Sequence, residues 1–344
     1  MRDRRRLGVT VFVIAIAACG GSSAPTAPTP PVAPNPAPSG GTSNVTGITV
    51  DALSDQALAG IAVRIDGVGN ATTGEDGRFG LSATGPEQLR AVTFVSPSTV
   101  ERSTHLRAPG PEARLTLMPS SLDLAAFNQM FRSSGQLQRW TSAPRIVVQS
   151  RVLQFTNVTD LEYVATLQVM TDAEVTALLA DLTFGLPQLT GNNFTAFSAE
   201  TRETAAAGER VAVSRPGAIV VARYDGLTAG TAPQGYWGYG RWQTSAGEVR
   251  SGILMIDNGF DTSGSQFRRS LRVHELGHAL GYNHVFVRDS VMNSHARFEP
   301  NAFDREGSRF AFLRPPQNRS PDIDPEPFSL NLRIPATPVW NGAR

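Results

Sequence analysis

Residues 274–284, His-Glu-Leu-Gly-His-Ala-Leu-Gly-Tyr-Asn-His, carry the chemistry most readily read from this chain. They spell H-E-x-x-H-x-x-G-x-x-H, a spacing suited to a catalytic zinc ion. On an α-helix, residues i and i+4 share a face, so His274 and His278 can hold one metal together. Glu275 stands beside the first ligand, where a carboxylate can hold the water that the metal activates. Gly281 can leave the helix with φ > 0, a conformation that costs any residue carrying a Cβ. The turn returns His284 as a third ligand. Three protein ligands leave the fourth tetrahedral position open, as catalysis rather than structure requires. Only five histidines occur in the sequence, and three of them fall in this window. The competing reading is a core helix with satisfied histidines.

A second element follows in Asp289–Asn293, with Met292 at its centre. The zinc motif and this methionine together resemble the metzincin clan of zinc endopeptidases, in which a tight turn passes a methionine beneath the metal. The resemblance implies Met292 as an apolar floor under three imidazoles; the plain alternative is an ordinary core methionine. Within the clan the chain is most similar to matrixin-like enzymes. Tyr236–Trp242 followed by Ile253–Asp257 resembles their paired strands before the active-site helix, the first strand being the sheet edge that holds substrate. Such an edge offers free N–H and C=O groups to an extended peptide. The sequence also departs from the family. Val285 stands where matrixins carry Ser and astacins Glu, and Ser294 stands where astacins carry a metal-binding Tyr. With Cys19 the only cysteine, no thiolate switch is visible. The resemblance covers residues 120–315 and is loose outside the zinc motif and the methionine turn.

These residues need elements to position them. Gln266–Val273 has no Pro or Gly and leads into the motif as helix, with Thr262–Ser265 suited to its start. Leu122–Phe131 reads as a short helix and Arg145–Ser150 as the first strand of the catalytic region. Thr171–Leu182 reads as a helix with a capping box at Thr171 and Glu174 and an apolar stripe of Val175, Leu178, Leu179 and Leu182. Arg210–Arg223 reads as one or two buried strands, and Phe303–Phe312 as a final helix. Residues Ser294–Pro300 are expected to shape the pocket beside the scissile bond, with His295 an ordinary loop histidine.

Ahead of this region, residues 44–118 read as an all-β module. Val45–Val50 and Ile61–Ile65 alternate, and Asp76-Gly77 marks a hairpin-like turn within Thr72–Leu81. The T-x-x-D-G-x-F pattern at Asp76, Gly77 and Phe79 resembles the carboxypeptidase regulatory-like sandwich, a small Greek-key domain without catalysis of its own. His105 is expected on an exposed strand or loop.

The start of the chain bears on location. Arg2, Arg4, Arg5 and Arg6 precede a short apolar run, Val9–Ala18, too short for a stable membrane anchor. Ile16-Ala17-Ala18-Cys19-Gly20 resembles a bacterial lipobox, which implies lipidation of Cys19 and a membrane partner; a plain secretory signal is the rival. Without an Asp after the Cys, the resemblance implies the outer membrane or cell surface. Ser22–Thr42 is rich in Pro and small polar residues, an extended tether unable to form a core.

The whole chain carries 31 basic and 30 acidic residues, a net charge of +1. Removing residues 1–18 takes four Arg and one Asp, leaving 27 basic and 29 acidic, a net of −2. Nothing here argues for nucleic-acid binding. One cysteine permits no intramolecular disulfide, so stability must come from burial. The tail from Pro315 is Pro-rich. Asp322, Asp324 and Glu326 could hold calcium, but without a recognisable ligand loop a solvated acidic tail is the preferred reading.

The expected architecture is multidomain: signal peptide 1–18, Pro-rich tether 19–43, small all-β Greek-key sandwich 44–118, α+β metzincin-like zinc protease domain 119–315 and Pro-rich tail 316–344. The expected function is a monomeric zinc endopeptidase acting on protein or peptide substrates at the cell surface, with Glu275 as base. The rival readings are a non-catalytic surface-binding or adhesin module on a protease-like fold, a zinc amidase acting on cell-wall peptides, and a β-module whose protease only processes its own chain.

Overall fold

A computed structural model describes residues 44–132, 134–225 and 237–327, and the backbone of 339–342. The signal segment, Cys19, the tether and Tyr236 lie outside the described residues. The described chain is β-rich, with three sheets and five helices. No described helix is long and apolar enough to cross a membrane.

The N-terminal module has seven strands: β1 (Val45–Asp51), β2 (Ala62–Ile65), β3 (Gly69–Thr72), β4 (Arg78–Leu81), β5 (Gln88–Val95), β6 (Arg102–Ala108) and β7 (Ala113–Leu117). They form two sheets, ordered β4-β1-β7 and β3-β2-β5-β6. Alternate residues Val63, Ile65, Phe79, Val92, Phe94, Leu115 and Leu117 fill the space they share. The Asp76-Gly77 turn is present, with φ +75° at Gly77, where a Cβ would lie 2.6 Å from the Thr49 carbonyl oxygen. It does not close a hairpin: β3 and β4 belong to different sheets, so the turn carries the chain between them. His105 sits on β6 with its side chain only 14% exposed and its Nε2 3.3 Å from Glu326, so the exposed reading is corrected.

The larger part begins with α1 (Leu124–Phe131) and continues through β8 (Arg145–Gln154), β9 (Glu162–Val169), α2 (Asp172–Gln188), β10 (Glu200–Glu203), β11 (Arg210–Ala212), β12 (Ala218–Asp225), β13 (Gly238–Ser245), β14 (Glu248–Asp257), α3 (Asn258–Thr262), α4 (Arg268–Leu280), α5 (Ala302–Phe312) and β15 (Val339–Gly342). Its sheet runs β11-β9-β8-β12-β14-β13-β15, with β10 beside β8. Strands β8, β12 and β14 are parallel and β13 is antiparallel to β14. Period-two alternation sends Ile146, Val148, Ile219, Val221, Leu254 and Ile256 into the helix-covered core, and Val147, Val220, Ala222, Ile253 and Met255 into a second core on the other face. Both faces being covered explains why Ala218–Ala222 of β12 reads as an unbroken apolar run.

The predicted helices form with some differences. Helix α2 carries the expected capping box and runs on to Gln188. Residues 258–262 make a separate short helix capped by Asp257, so Thr262–Ser265 does not start the motif helix; α4 begins at Arg268 without a side-chain cap. Strand β13 is not a complete edge, because β15 pairs with Arg241–Thr244.

Across the 118/119 boundary, Ala52 and Met118 pack into the larger core. The solvated-tail reading is corrected for Asp322 and Asp324, whereas Glu326 is exposed. Asp322 is fully buried and Asp324 is 8% exposed. Arg314 Nε donates to both Asp322 oxygens at 2.7 and 2.9 Å, and its Nη2 donates to Thr116 O of β7 at 3.0 Å. Arg102 of β6 donates to Asp324 at 2.9 Å, and Asn318 donates to both aspartates at 3.0 and 2.8 Å. Backbone bonds from Ser103 N to Asp322 O and from Asp324 N to Ser103 O complete the junction. Guanidinium groups therefore hold Asp322 and Asp324, two of the three carboxylates named as possible calcium ligands, while Glu326 lies beside His105.

Candidate metal centre

Helix α4 lies over β13 and β14 and presents His274, Glu275 and His278 to one cleft. It ends at Gly281, whose φ of +108° is the left-handed exit expected from the sequence. The following segment is pinned from below by α1: Asn283 N donates to Met130 O at 2.9 Å and Phe286 N to Gln129 Oε1 at 2.9 Å. That places His284 opposite the other two histidines.

The three Nε2 atoms stand 3.1, 3.2 and 3.3 Å apart. A tetrahedral metal bound to imidazole at about 2.0–2.1 Å separates its ligand atoms by about 3.3 Å. The triangle therefore fits one face of such a site. His274 Nδ1 lies 2.8 Å from Val291 O and His278 Nδ1 lies 2.7 Å from Tyr282 O. A carbonyl oxygen can only accept, so Nδ1 carries the proton in both rings and the Nε2 lone pairs face the cleft. Burial lowers all three imidazole pKa values, that of His274 to about 4, which keeps the rings neutral and able to ligate. This buried three-histidine cluster could hold a metal ion.

Glu275 is 4% exposed, and burial holds its carboxyl well above the usual carboxylate range. Among the described residues its Oε2 has no hydrogen-bond partner. A buried polar atom left unpaired is costly. The cleft is bounded by Trp237–Gly240 on one side and by Ser294–Arg297, part of the expected Ser294–Pro300 stretch, on the other. His295 is exposed on that rim.

Met292 is fully buried beneath α4. A Cβ on Gly277 would lie 2.3 Å from its Sδ, so the glycine inside the motif is there to admit the methionine. The turn carrying Met292 is held by residues not singled out from sequence. Asp304 of α5 accepts from Ser290 Oγ at 2.5 Å and from Val291 N at 3.0 Å. Val291 O in turn orients His274. Asp304 is also the third helical residue of a capping box with Asn301. That N-x-x-D spacing was the available signal, and it speaks of a helix start rather than of a metal.

Behind α4, the fully buried Asp261 accepts from Arg272 Nε at 2.8 Å and from Arg223 Nε at 2.6 Å. Arg272 also reaches Asp181 of α2 at 2.8 Å. Trp140 Nε1 donates to Ala279 O at 3.1 Å. The helix is thus fixed on its far side by charge and along its end by an indole. The sequence matches no protein-family model, and no curated protein matches it significantly.

Proposed function

We propose that this protein is a zinc-dependent endopeptidase of metzincin type, anchored at a bacterial cell surface through Cys19. The carrying observation is the convergence of three bare Nε2 atoms beside a buried carboxylate whose Oε2 has no hydrogen-bond partner among the described residues. His274, His278 and His284 would hold the ion. Zinc held there supplies Lewis acidity, making water more acidic and a peptide carbonyl more electrophilic. Glu275 takes the proton of the attacking water and delivers it to the leaving amine. Among the described strands, Gly238–Gly240 of β13 pairs with β14, and β15 pairs further along, at Arg241–Thr244. The surface location rests on the N-terminal sequence alone.

The test is metal analysis with cleavage of a proteome-derived peptide library, on residues 20–344 beside Glu275→Gln. One zinc per chain and chelator-sensitive cleavage are expected, with cleavage reduced at least ~10²-fold in the variant. Undiminished turnover by pure Glu275→Gln protein rejects the role of Glu275. Zinc without cleavage of any library peptide rejects the general endopeptidase and favours a narrow amidase. His284→Ala is expected to lose zinc in a competition titration with a chelator.

A further inference from the structure

Two glycines of β13 face α4 at the point where Glu275 is buried, and neither has a positive φ. Space, not backbone conformation, is therefore what a side chain there would violate. The two positions meet different atoms. A Cβ on Gly238 would lie 2.4 Å from Glu275 Oε1, 2.6 Å from its Cγ and 2.7 Å from its Cδ. A Cβ on Gly240 would lie 2.3 Å from His278 Cβ and 2.8 Å from the Glu275 backbone oxygen, with Oε2 at 3.0 Å. The Glu275 side chain thus rests in a slot of bare backbone, with Oε2 buried and unpaired.

We infer that Gly238 is a positioning residue: its missing Cβ is the slot that sets the Glu275 carboxylate, while Gly240 provides clearance for the α4 backbone and His278. The catalytic consequence rests on the endopeptidase reading; the slot itself does not. A carboxylate fixed this way needs no hydrogen-bond donor to orient it, so Oε2 stays free for a proton in transit. A glycine in a strand otherwise weakens it, so its presence calls for a reason of this kind.

The deciding experiment is a double-mutant cycle read by thermal unfolding of the metal-free protein. Glu275→Ala deletes the three atoms nearest to a Cβ at Gly238, but not the two nearest at Gly240. Gly238→Ala is expected to lower the unfolding midpoint by about 4 °C or more in the native chain. In the Glu275→Ala chain it should leave the midpoint unchanged or raise it. Gly240→Ala should lower the midpoint in both. Equal effects of Gly238→Ala in the two backgrounds overturn the inference. If Gly238→Ala alone does not fold, rescue of folding by Glu275→Ala supports the slot and failure to rescue overturns it. In the zinc-loaded protein, Gly238→Ala should keep one zinc per chain and an ordinary KM, with kcat lowered on the order of 10²-fold. Unchanged kcat also overturns it. A wild-type protein that binds zinc and cleaves nothing removes the endopeptidase reading, and the unfolding cycle still decides the slot.

Discussion

Two clusters of buried polar groups divide the labour in this molecule. At the junction of the N-terminal module with the larger part, Arg102, Arg132 and Arg314 meet Asp322 and Asp324, and every carboxylate oxygen there has a donor. Arg102 Nε and Arg132 Nε are the polar atoms left over. At the histidine site the pattern is reversed. The ring Nδ1 atoms of His274 and His278 are satisfied by carbonyls, while the three Nε2 atoms point at one another and Glu275 Oε2 has no hydrogen-bond partner among the described residues. Buried charges that are paired hold elements together. Buried lone pairs that converge without donors are stabilised only by something the cleft takes up, which is why the second cluster and not the first reads as chemistry.

The contrast predicts opposite responses to the loss of a carboxylate. Asp322→Ala leaves Arg314 buried without its partner and should cost about 3–5 kcal/mol in urea unfolding. A smaller loss than the ~1 kcal/mol typical of an exposed pair would show that the junction is wetter than its geometry indicates. Glu275→Gln removes a buried, unpaired acid and should leave metal-free stability unchanged or raised by roughly 1 kcal/mol, because groups kept for chemistry are held at a cost to the fold. A loss of stability as large as that of Asp322→Ala would erase the distinction.

Asp304 sharpens the comparison from the middle, since it is paired like the junction yet serves the histidine site. Asp304→Asn should weaken metal affinity about 10- to 100-fold, by freeing the turn whose Val291 carbonyl orients His274. Its unfolding cost should stay near ~1–2 kcal/mol, and a variant with native metal affinity would show that the turn stands without α5.

The smallest expected effect is one of pH. Glu174, bonded to Arg223 and to the Thr171 backbone N–H, has its pKa pulled down from 4.5 to about 2. A depressed folded pKa contributes stability above the unfolded value and loses it as pH falls through the folded one. Metal-free thermal midpoints should therefore decline between about pH 4.5 and pH 2, and Glu174→Gln should flatten that decline. An identical slope in both proteins would assign the acid loss elsewhere. Asp324 contributes with the same sign: burial pushes its carboxyl up, but the Arg102 charge and the hydrogen bonds hold it below the usual range.

Local features were legible and long-range ones were not. The capping box at Thr171 and Glu174, the helix across 302–312 and the left-handed exit at Gly281 each depend on residues within a few positions of one another, and each formed. Asp322 and Asp324 misled because Pro-rich, acidic sequence normally faces water. Nothing near them announces that Arg102, 222 residues from Asp324, will meet it in the interior. The edge strand expected at Tyr236–Trp242 is not a complete edge, because β15 arrives from far along the chain to pair with Arg241–Thr244.

The sequence by itself determined which residues could share a metal, since the 3.6-residue turn puts His274 and His278 on one face and a single glycine lets the chain double back to His284. It likewise determined the alternating core of each sheet, because period two is written in the residue order. Tertiary structure alone decided that Gly238 lies against the Glu275 carboxylate, that Asp304 holds the turn bearing Met292, and that the N-terminal module is joined to the rest by buried charge. Those are contacts between surfaces brought together by packing, and packing depends on where whole elements land rather than on the spacing of residues within any one of them.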